Sequence, residues 1–331
     1  MNIIVIGLGS MGKRRVRLLL KYLKINHIDN GKVIGVDLND ERQRECVELY
    51  GIETFSSLHE AQKKHVADMA IISTSPLSHN MLIRECLYMG MHVFTELNLV
   101  DTGYDDNIAL ARNRHRVLFM SSTFLYRKEV QYIKNKVEEM NFIGMYRYHI
   151  GQYLPSWHPW EAYEDFFVKN VQTNGCREIF AIELPWLVYC FGKINKIYSV
   201  HNKLSDLKVE YDDSYQVIIE HMSGTVGCLT VDIVAPRTQR EFEMWKENFY
   251  ISWDGTPKNL REYCADEETM KNVPMYDLVE QQSNYYKYIV ENAYYDELNN
   301  FFEVIEGKNN AIYSFEQDKE ILGIIDEIEK E

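Results

Sequence analysis

The chain has no C-x-x-C pair. Its six cysteines, Cys46, Cys86, Cys176, Cys190, Cys228 and Cys264, show no regular spacing either. They read as reduced thiols of a cytoplasmic protein rather than a disulfide framework. The ten histidines are scattered without H-E-x-x-H or similar spacing, so no metal site is expected. Basic charge is also short: 36 Lys and Arg against 50 Asp and Glu give a formal net charge of -14. That balance argues against nucleic acid or an anionic membrane as partner, because both are held through Lys and Arg. No segment approaches the roughly 18 to 20 apolar residues of a membrane span, and "MNIIVIG" enters a strand pattern without the charged and apolar regions of a signal peptide. No internal repeat or low-complexity linker is present. A chain of 331 residues with 46% hydrophobic content suggests two domains, each able to fold without staples.

Up to about residue 122, short apolar runs alternate with amphipathic stretches. "NIIVIG", "KVIGVD", "DMAIIST", "HVFTEL" and "RVLFM" read as strands, with helices between them. This α/β alternation predicts a doubly wound parallel sheet, the Rossmann arrangement, over 1–122. After a crossover helix through "KEVQYIKNKVEEM", longer alternating runs predict an α+β domain over 123–331 with an open, mostly antiparallel sheet. "HMSGTVG" reads as its hairpin turn.

"VIGLGSMGKRRVRLL" places Gly7, Gly9 and Gly12 in G-x-G-x-x-G register, directly after a strand and opening a helix. Gly7 permits the tight turn, Gly9 lets the backbone approach a pyrophosphate, and Gly12 allows close helix–strand packing. The helix start at Ser10 and Met11 offers free N–H groups to the anion. Asp37, at the end of the second strand, accepts from a ribose 2′-hydroxyl and repels a 2′-phosphate, which favours NAD over NADP. Arg14 and Arg15 either counter that repulsion or lie on a solvated helix face.

These residues, with "STSPLSHN", "VFTELNLV" and "DELNNFFEVIEG", resemble the glucose-fructose oxidoreductase / inositol dehydrogenase (Gfo/Idh/MocA) family over nearly the whole chain. The resemblance implies a nicotinamide-dependent oxidoreductase acting on a sugar, sugar acid or nucleotide-sugar hydroxyl or ketone, and a homodimer or homotetramer built through the C-terminal sheet. It puts Thr74, Ser75, Pro76 and His79 beside the pyrophosphate and ribose, and Glu96 and Asn98 near the nicotinamide ribose. Leu97 stands where the family usually has Lys, and Asn98 where it has Pro.

The helix "GCREIFAIELPWLVYCFG" departs further. Ile182 occupies the position of the family's His, and the family's Asp falls on Glu178 or, one residue later, on Ile179. Ile179, Glu183, Leu187 and Cys190 share one helical face, which sets a carboxylate in an apolar stripe. Arg177, Glu178 and Glu183 therefore either line a substrate site or pair internally. On the first reading Glu178 is the acid/base, and Arg177 and Glu183 hold substrate. The preceding loop "GQYLPSWHPWEAYEDF" resembles one in a subgroup tied to surface-polysaccharide sugars. Tyr153, Trp157, His158 and Trp160 there offer flat faces and polar edges to a sugar, or else pack a boundary. Tyr153 and His158 are further acid/base candidates. Two functional classes follow: an enzyme with an altered acid/base set, or a catalytically degenerate NAD-binding sensor of the same fold.

Overall fold

The computed structural model describes residues 1–157, 162–282 and 287–330. They form two compact units, Met1–Ser122 with Tyr294–Lys319, and Thr123–Ala293 with Glu320–Glu331.

The first unit is built on six parallel strands: β1 (Asn2–Ile6), β2 (Lys32–Val36), β3 (Glu53–Phe55), β4 (Met69–Ile72), β5 (His92–Thr95) and β6 (Leu118–Met120). Their order is β3-β2-β1-β4-β5-β6, so the sheet reverses direction of growth between β1 and β4. β1 and β4 sit at its centre and are almost wholly buried, as the unbroken apolar runs "NIIVI" and "MAII" require. Between strands lie α1 (Ser10–Ile25), α2 (Asp40–Tyr50), α3 (Leu58–Lys64), α4 (Pro76–Tyr88) and α5 (Tyr104–Asn113). α2 shows the local logic clearly. Asn39 caps it by accepting from the N–H groups of Glu41 and Arg42, and Gly51 closes it in the left-handed conformation.

The division at residue 122 read from sequence differs in one respect. Most of α8 (Glu291–Ile305) belongs to the first unit, not the second. Its aromatic side chains explain why. Phe302 stacks on Tyr22 of α1 at 3.9 Å, and Phe301 meets Phe94 of β5 and Phe119 of β6 edge-on at 5.6 and 5.5 Å.

In the second unit α6 (Lys128–Glu139) and α7 (Gly175–Phe191) accompany an eight-stranded sheet. Its strands are β7 (Met145–Gly151), β8 (Ile194–Asn202), β9 (Ser214–His221), β10 (Val226–Asp232), β11 (Gln239–Lys246), β12 (Phe249–Trp253), β13 (Arg261–Cys264) and β14 (Thr269–Asn272), in the order β14-β13-β12-β11-β7-β10-β9-β8. Among the described residues only β7 and β10 of this sheet pair in parallel; its other pairs are antiparallel. The expected hairpin turn joins β9 to β10, with Gly224 at φ 89°. α7 packs on one face of the sheet, where Trp186 meets Tyr148 at 5.3 Å and Phe242 at 5.1 Å, and Phe180 meets Tyr215 at 5.4 Å. The other face exposes Met145, Tyr198, Val200 and Ile218, each about half or more accessible. The last helix, α9 (Phe315–Ile328), has residues in both units. Among the described residues no helix is long and apolar enough to cross a membrane.

Candidate cofactor and substrate sites

The glycine-rich turn leaves β1 and enters α1. A side chain at Gly7, at φ +88°, would stand 2.6 Å from the Ser73 carbonyl oxygen, and one at Gly12 only 1.8 Å from the Gly7 carbonyl oxygen. These two glycines are demanded by the protein's own backbone. Gly9 differs: a Cβ there would meet nothing nearer than the Arg42 Nη1 at 4.0 Å. Folding alone does not explain its glycine, whereas close approach of a ligand does. α1 begins without a side-chain cap and without an acidic residue in its first turn, so Ser10, Met11 and Gly12 present N–H groups to an anion.

Asp37 follows β2. Its Oδ2 accepts from the Leu8 N–H at 2.7 Å and its Oδ1 from the Asn39 N–H at 2.8 Å, which ties the end of β2 to the glycine-rich turn. Each oxygen keeps a lone pair for a ribose hydroxyl. Arg42 lies 3.9 Å from the same carboxylate and is half exposed. The position of the switch between β1 and β4, the open space at Gly9 and the acid after β2 together fit a dinucleotide.

On the other side of the switch, Pro76 opens α4 at its first turn behind Ser75, and Thr74 Oγ1 and Ser78 Oγ share a hydrogen bond at 2.7 Å. His79 is buried between Asn98, which contacts its Nδ1, and the Thr74 carbonyl, 3.0 Å from its Nε2. Burial pushes its pKa down. A neutral ring donates from Nε2 to the Thr74 carbonyl, while Nδ1 lies against the Asn98 Oδ1. His79 and Asn98 thus brace the loop ends after β4 and β5.

Glu96 is engaged by Arg15, whose Nε and Nη2 donate to it at 2.5 and 3.1 Å. This corrects the expectation of a solvated helix face for Arg14 and Arg15. Neither is solvated, with 3% and 0% exposure, and the Arg15 guanidinium is taken up by Glu96 and Glu297. Arg14 lies over the Tyr294 ring at 4.4 Å.

In the second unit α7 resolves its charged residues one by one. Glu183 is fully buried, as the helical spacing required. It accepts from the Tyr148 hydroxyl and the Trp186 Nε1, both at 2.7 Å, and from Arg240 of β11. Burial disfavours the Arg240 charge, but the Glu183 carboxylate outweighs this and raises its pKa. Arg177 donates to Asp326 at 2.8 Å and to Glu329 at 2.5 Å, both near the chain's end. Its carboxylate partners are therefore neither Glu178 nor Glu183, and the fork expected to face an anionic ligand already holds two carboxylates. Likewise Glu183 faces the sheet rather than a ligand. Glu178 stands apart: half-buried, with an enclosed Oε2 that has no hydrogen-bond partner among the described residues. Burial raises its pKa to about 7.

Trp157 packs its ring against the start of α7, 3.5 Å from where a Gly175 side chain would sit, and donates to the Gln152 carbonyl at 3.3 Å. Tyr153 is 41% exposed. His158 and Trp160 lie outside the described residues.

Residues 1–121 match the family described as "Oxidoreductase family, NAD-binding Rossmann fold", GFO_IDH_MocA. Their cofactor is NAD. Solved structures extend the likeness in fold to the whole chain. A levoglucosan dehydrogenase in complex with NADH and L-sorbose has a TM-score of 0.81 at 15% identity, covering 99% of this chain and 95% of its own. The UDP-N-acetylglucosamine 3-dehydrogenase GnnA from Acidithiobacillus ferrooxidans has a TM-score of 0.71 at 17% identity, covering 99% and 96%. The WlbA dehydrogenase from Chromobacterium violaceum, in complex with NADH and UDP-GlcNAcA, has a TM-score of 0.73 at 14% identity, covering 99% and 92%. In sequence, no curated protein is a match.

Sequence reasoning missed three participants: Arg42, Glu297 and Arg240. Arg42 carries a usable signal, since it lies in the first turn of the helix that follows Asp37. Glu297 and Arg240 carry none, because they meet Arg15 and Glu183 across 282 and 57 residues of chain.

Proposed function

We propose that the protein is an NAD-dependent oxidoreductase acting on a sugar, sugar acid or nucleotide-sugar hydroxyl or ketone in surface-polysaccharide biosynthesis, as a cytoplasmic homo-oligomer. The observation that carries the reading is Glu178. A carboxylate whose Oε2 is enclosed without a partner among the described residues, titrating at about 7, is tuned for proton transfer near neutral pH. It stands on the same side of α7 as Ile182, one turn further on, where both are half-buried, while Ile179 and Glu183 are buried. Of the two positions open to the family's acid, Glu178 alone carries a titratable group.

NAD, when bound, supplies the hydride acceptor. The protein's part is to remove a proton from the substrate hydroxyl as its carbon is oxidised, and Glu178 in its ionised form takes that proton on Oε2. In the reverse direction protonated Glu178 returns it to the carbonyl oxygen. Asp37 and the N–H groups of Ser10, Met11 and Gly12 hold the cofactor's ribose and pyrophosphate. Enclosure of Oε2 keeps competing solvent protons from that atom.

The test is NAD reduction by the purified protein across a panel of sugars, sugar acids and UDP-sugars. A substrate should appear whose turnover is lost in Glu178→Gln while NAD still binds. The sensor reading is favoured by Leu97 and Ile182, both apolar where the family usually carries Lys and His. It prevails if sugars bind tightly to the NAD complex and none is oxidised or reduced.

A further inference from the structure

Glu297, on α8, reaches the end of the edge strand β6 of the first unit and, through Arg15, the end of its neighbour β5. Its Oε1 accepts from the Ser122 N–H at 2.7 Å and from the Ser121 hydroxyl at 3.0 Å, immediately after β6. Its Oε2 accepts from Arg15 Nη2 at 2.6 Å. Arg15 in turn holds both oxygens of Glu96, immediately after β5, and lies over the Phe94 ring at 4.5 Å. Arg15 and Glu297 are both fully buried, and Glu96 is 8% exposed. Burial disfavours the Arg15 charge, but its two carboxylates outweigh this and raise its pKa.

Such a network costs desolvation and is weak evidence for stability as such. Its placement carries the argument. In a sheet of order 3-2-1-4-5-6 each half receives one nucleoside beyond the carboxyl ends of its strands, with the pyrophosphate at the switch point. Asp37 after β2 marks the adenosine half. The ends of β5 and β6, where Glu96, Ser121 and Ser122 lie, belong to the nicotinamide half.

We propose that Arg15 and Glu297 are positioning residues for the nicotinamide half of the cofactor. They fix the Glu96 side chain and the backbone after β6 before the cofactor arrives, so that binding does not have to order them. The adenosine half lies across the switch and does not depend on them.

Two probes separate this role from a merely structural one: NAD, which fills both halves, and ADP, which fills only the adenosine and pyrophosphate part. Both are titrated calorimetrically into the full-length wild-type protein, Glu297→Gln and Arg15→Lys. Glu297→Gln keeps the shape and an acceptor for Ser122 but removes the charge. Arg15→Lys keeps the charge but removes the fork, and it serves if the first variant fails to fold. The expected result is a loss of NAD affinity of about tenfold with ADP affinity within about twofold. Parallel loss of both ligands, or no loss of either, overturns the proposal. Since neither readout uses turnover, this outcome is independent of whether Glu178 performs the chemistry proposed above.

Discussion

Glu183 and Arg240 form an ion pair inside the second unit, joining the middle of α7 to the start of β11. Tyr148 and Trp186 complete the hydrogen bonding of Glu183 within the surrounding aromatic core. Removing one partner leaves the other charge enclosed. Glu183→Ala should therefore destabilise the second unit by about 3–5 kcal/mol. Arg240 is 16% exposed at its side chain, so Arg240→Ala should cost somewhat less. The double variant should lose clearly less than the sum. Denaturant unfolding of the three variants checks this, and additive losses would contradict the pairing.

Arg177 should also prove structural. Its side chain is 8% exposed, with Glu329 at 20% and Asp326 at 50%, so the pair with Glu329 is the better shielded. Arg177→Ala should lower stability by about 1.5–3 kcal/mol, the range for hydrogen bonds to charged groups. Denaturant unfolding measures it. Unchanged stability with weakened binding of an anionic substrate would return Arg177 to the ligand site.

Glu178 has a folded-state pKa of about 7, raised from an ordinary 4.5 by burial. An acid whose pKa is raised on folding binds its proton more tightly in the native state, so its ionisation opposes folding. That penalty is absent below the ordinary value, grows as pH rises, and is complete above the folded value. Glu178→Gln should accordingly match the wild type in stability near pH 4, and exceed it at pH 8 by up to about 3 kcal/mol. Unfolding curves at the two pH values decide it. Turnover in the oxidative direction should rise through the same pKa, since the ionised form is the base.

NAD should bind more tightly than NADP by at least about tenfold, because the Asp37 carboxylate repels a 2′-phosphate. Arg42 lies 3.9 Å from that carboxylate and provides whatever tolerance of the phosphate exists. Arg42→Ala should weaken NADP further and leave NAD nearly unchanged. Calorimetric titration of both cofactors tests this, and a preference for NADP would mean that Arg42 dominates the pocket.

The face of the second sheet that exposes Met145, Tyr198, Val200 and Ile218 is expected to pair with a second copy of the chain. Light scattering should give at least twice the 39.1 kDa of one chain at micromolar concentration. Ile218→Glu should shift the protein toward monomer. A wild-type monomer would refute the interface.

The sequence by itself determined the first sheet and its ligand. Unbroken apolar runs in β1 and β4 admit only buried parallel strands, and G-x-G-x-x-G between β1 and α1 has a steric meaning that is local in the chain. Helical spacing likewise put Glu183 among Ile179, Leu187 and Cys190, because the period of a helix is fixed by its backbone. What only the tertiary structure decided is the fate of each charge. Arg15 meets Glu297, Arg177 meets Asp326 and Glu329, and Glu183 meets Arg240 across long stretches of chain. Periodicity reports which face a residue occupies but not what stands opposite it. The same limit explains the unit boundary: Phe301 and Phe302 read equally well as core of either unit, and only their rings against Tyr22, Phe94 and Phe119 assign α8 to the first. Glu178 shows the converse, an enclosed Oε2 with no partner among the described residues, and an absent partner is visible only in the folded chain.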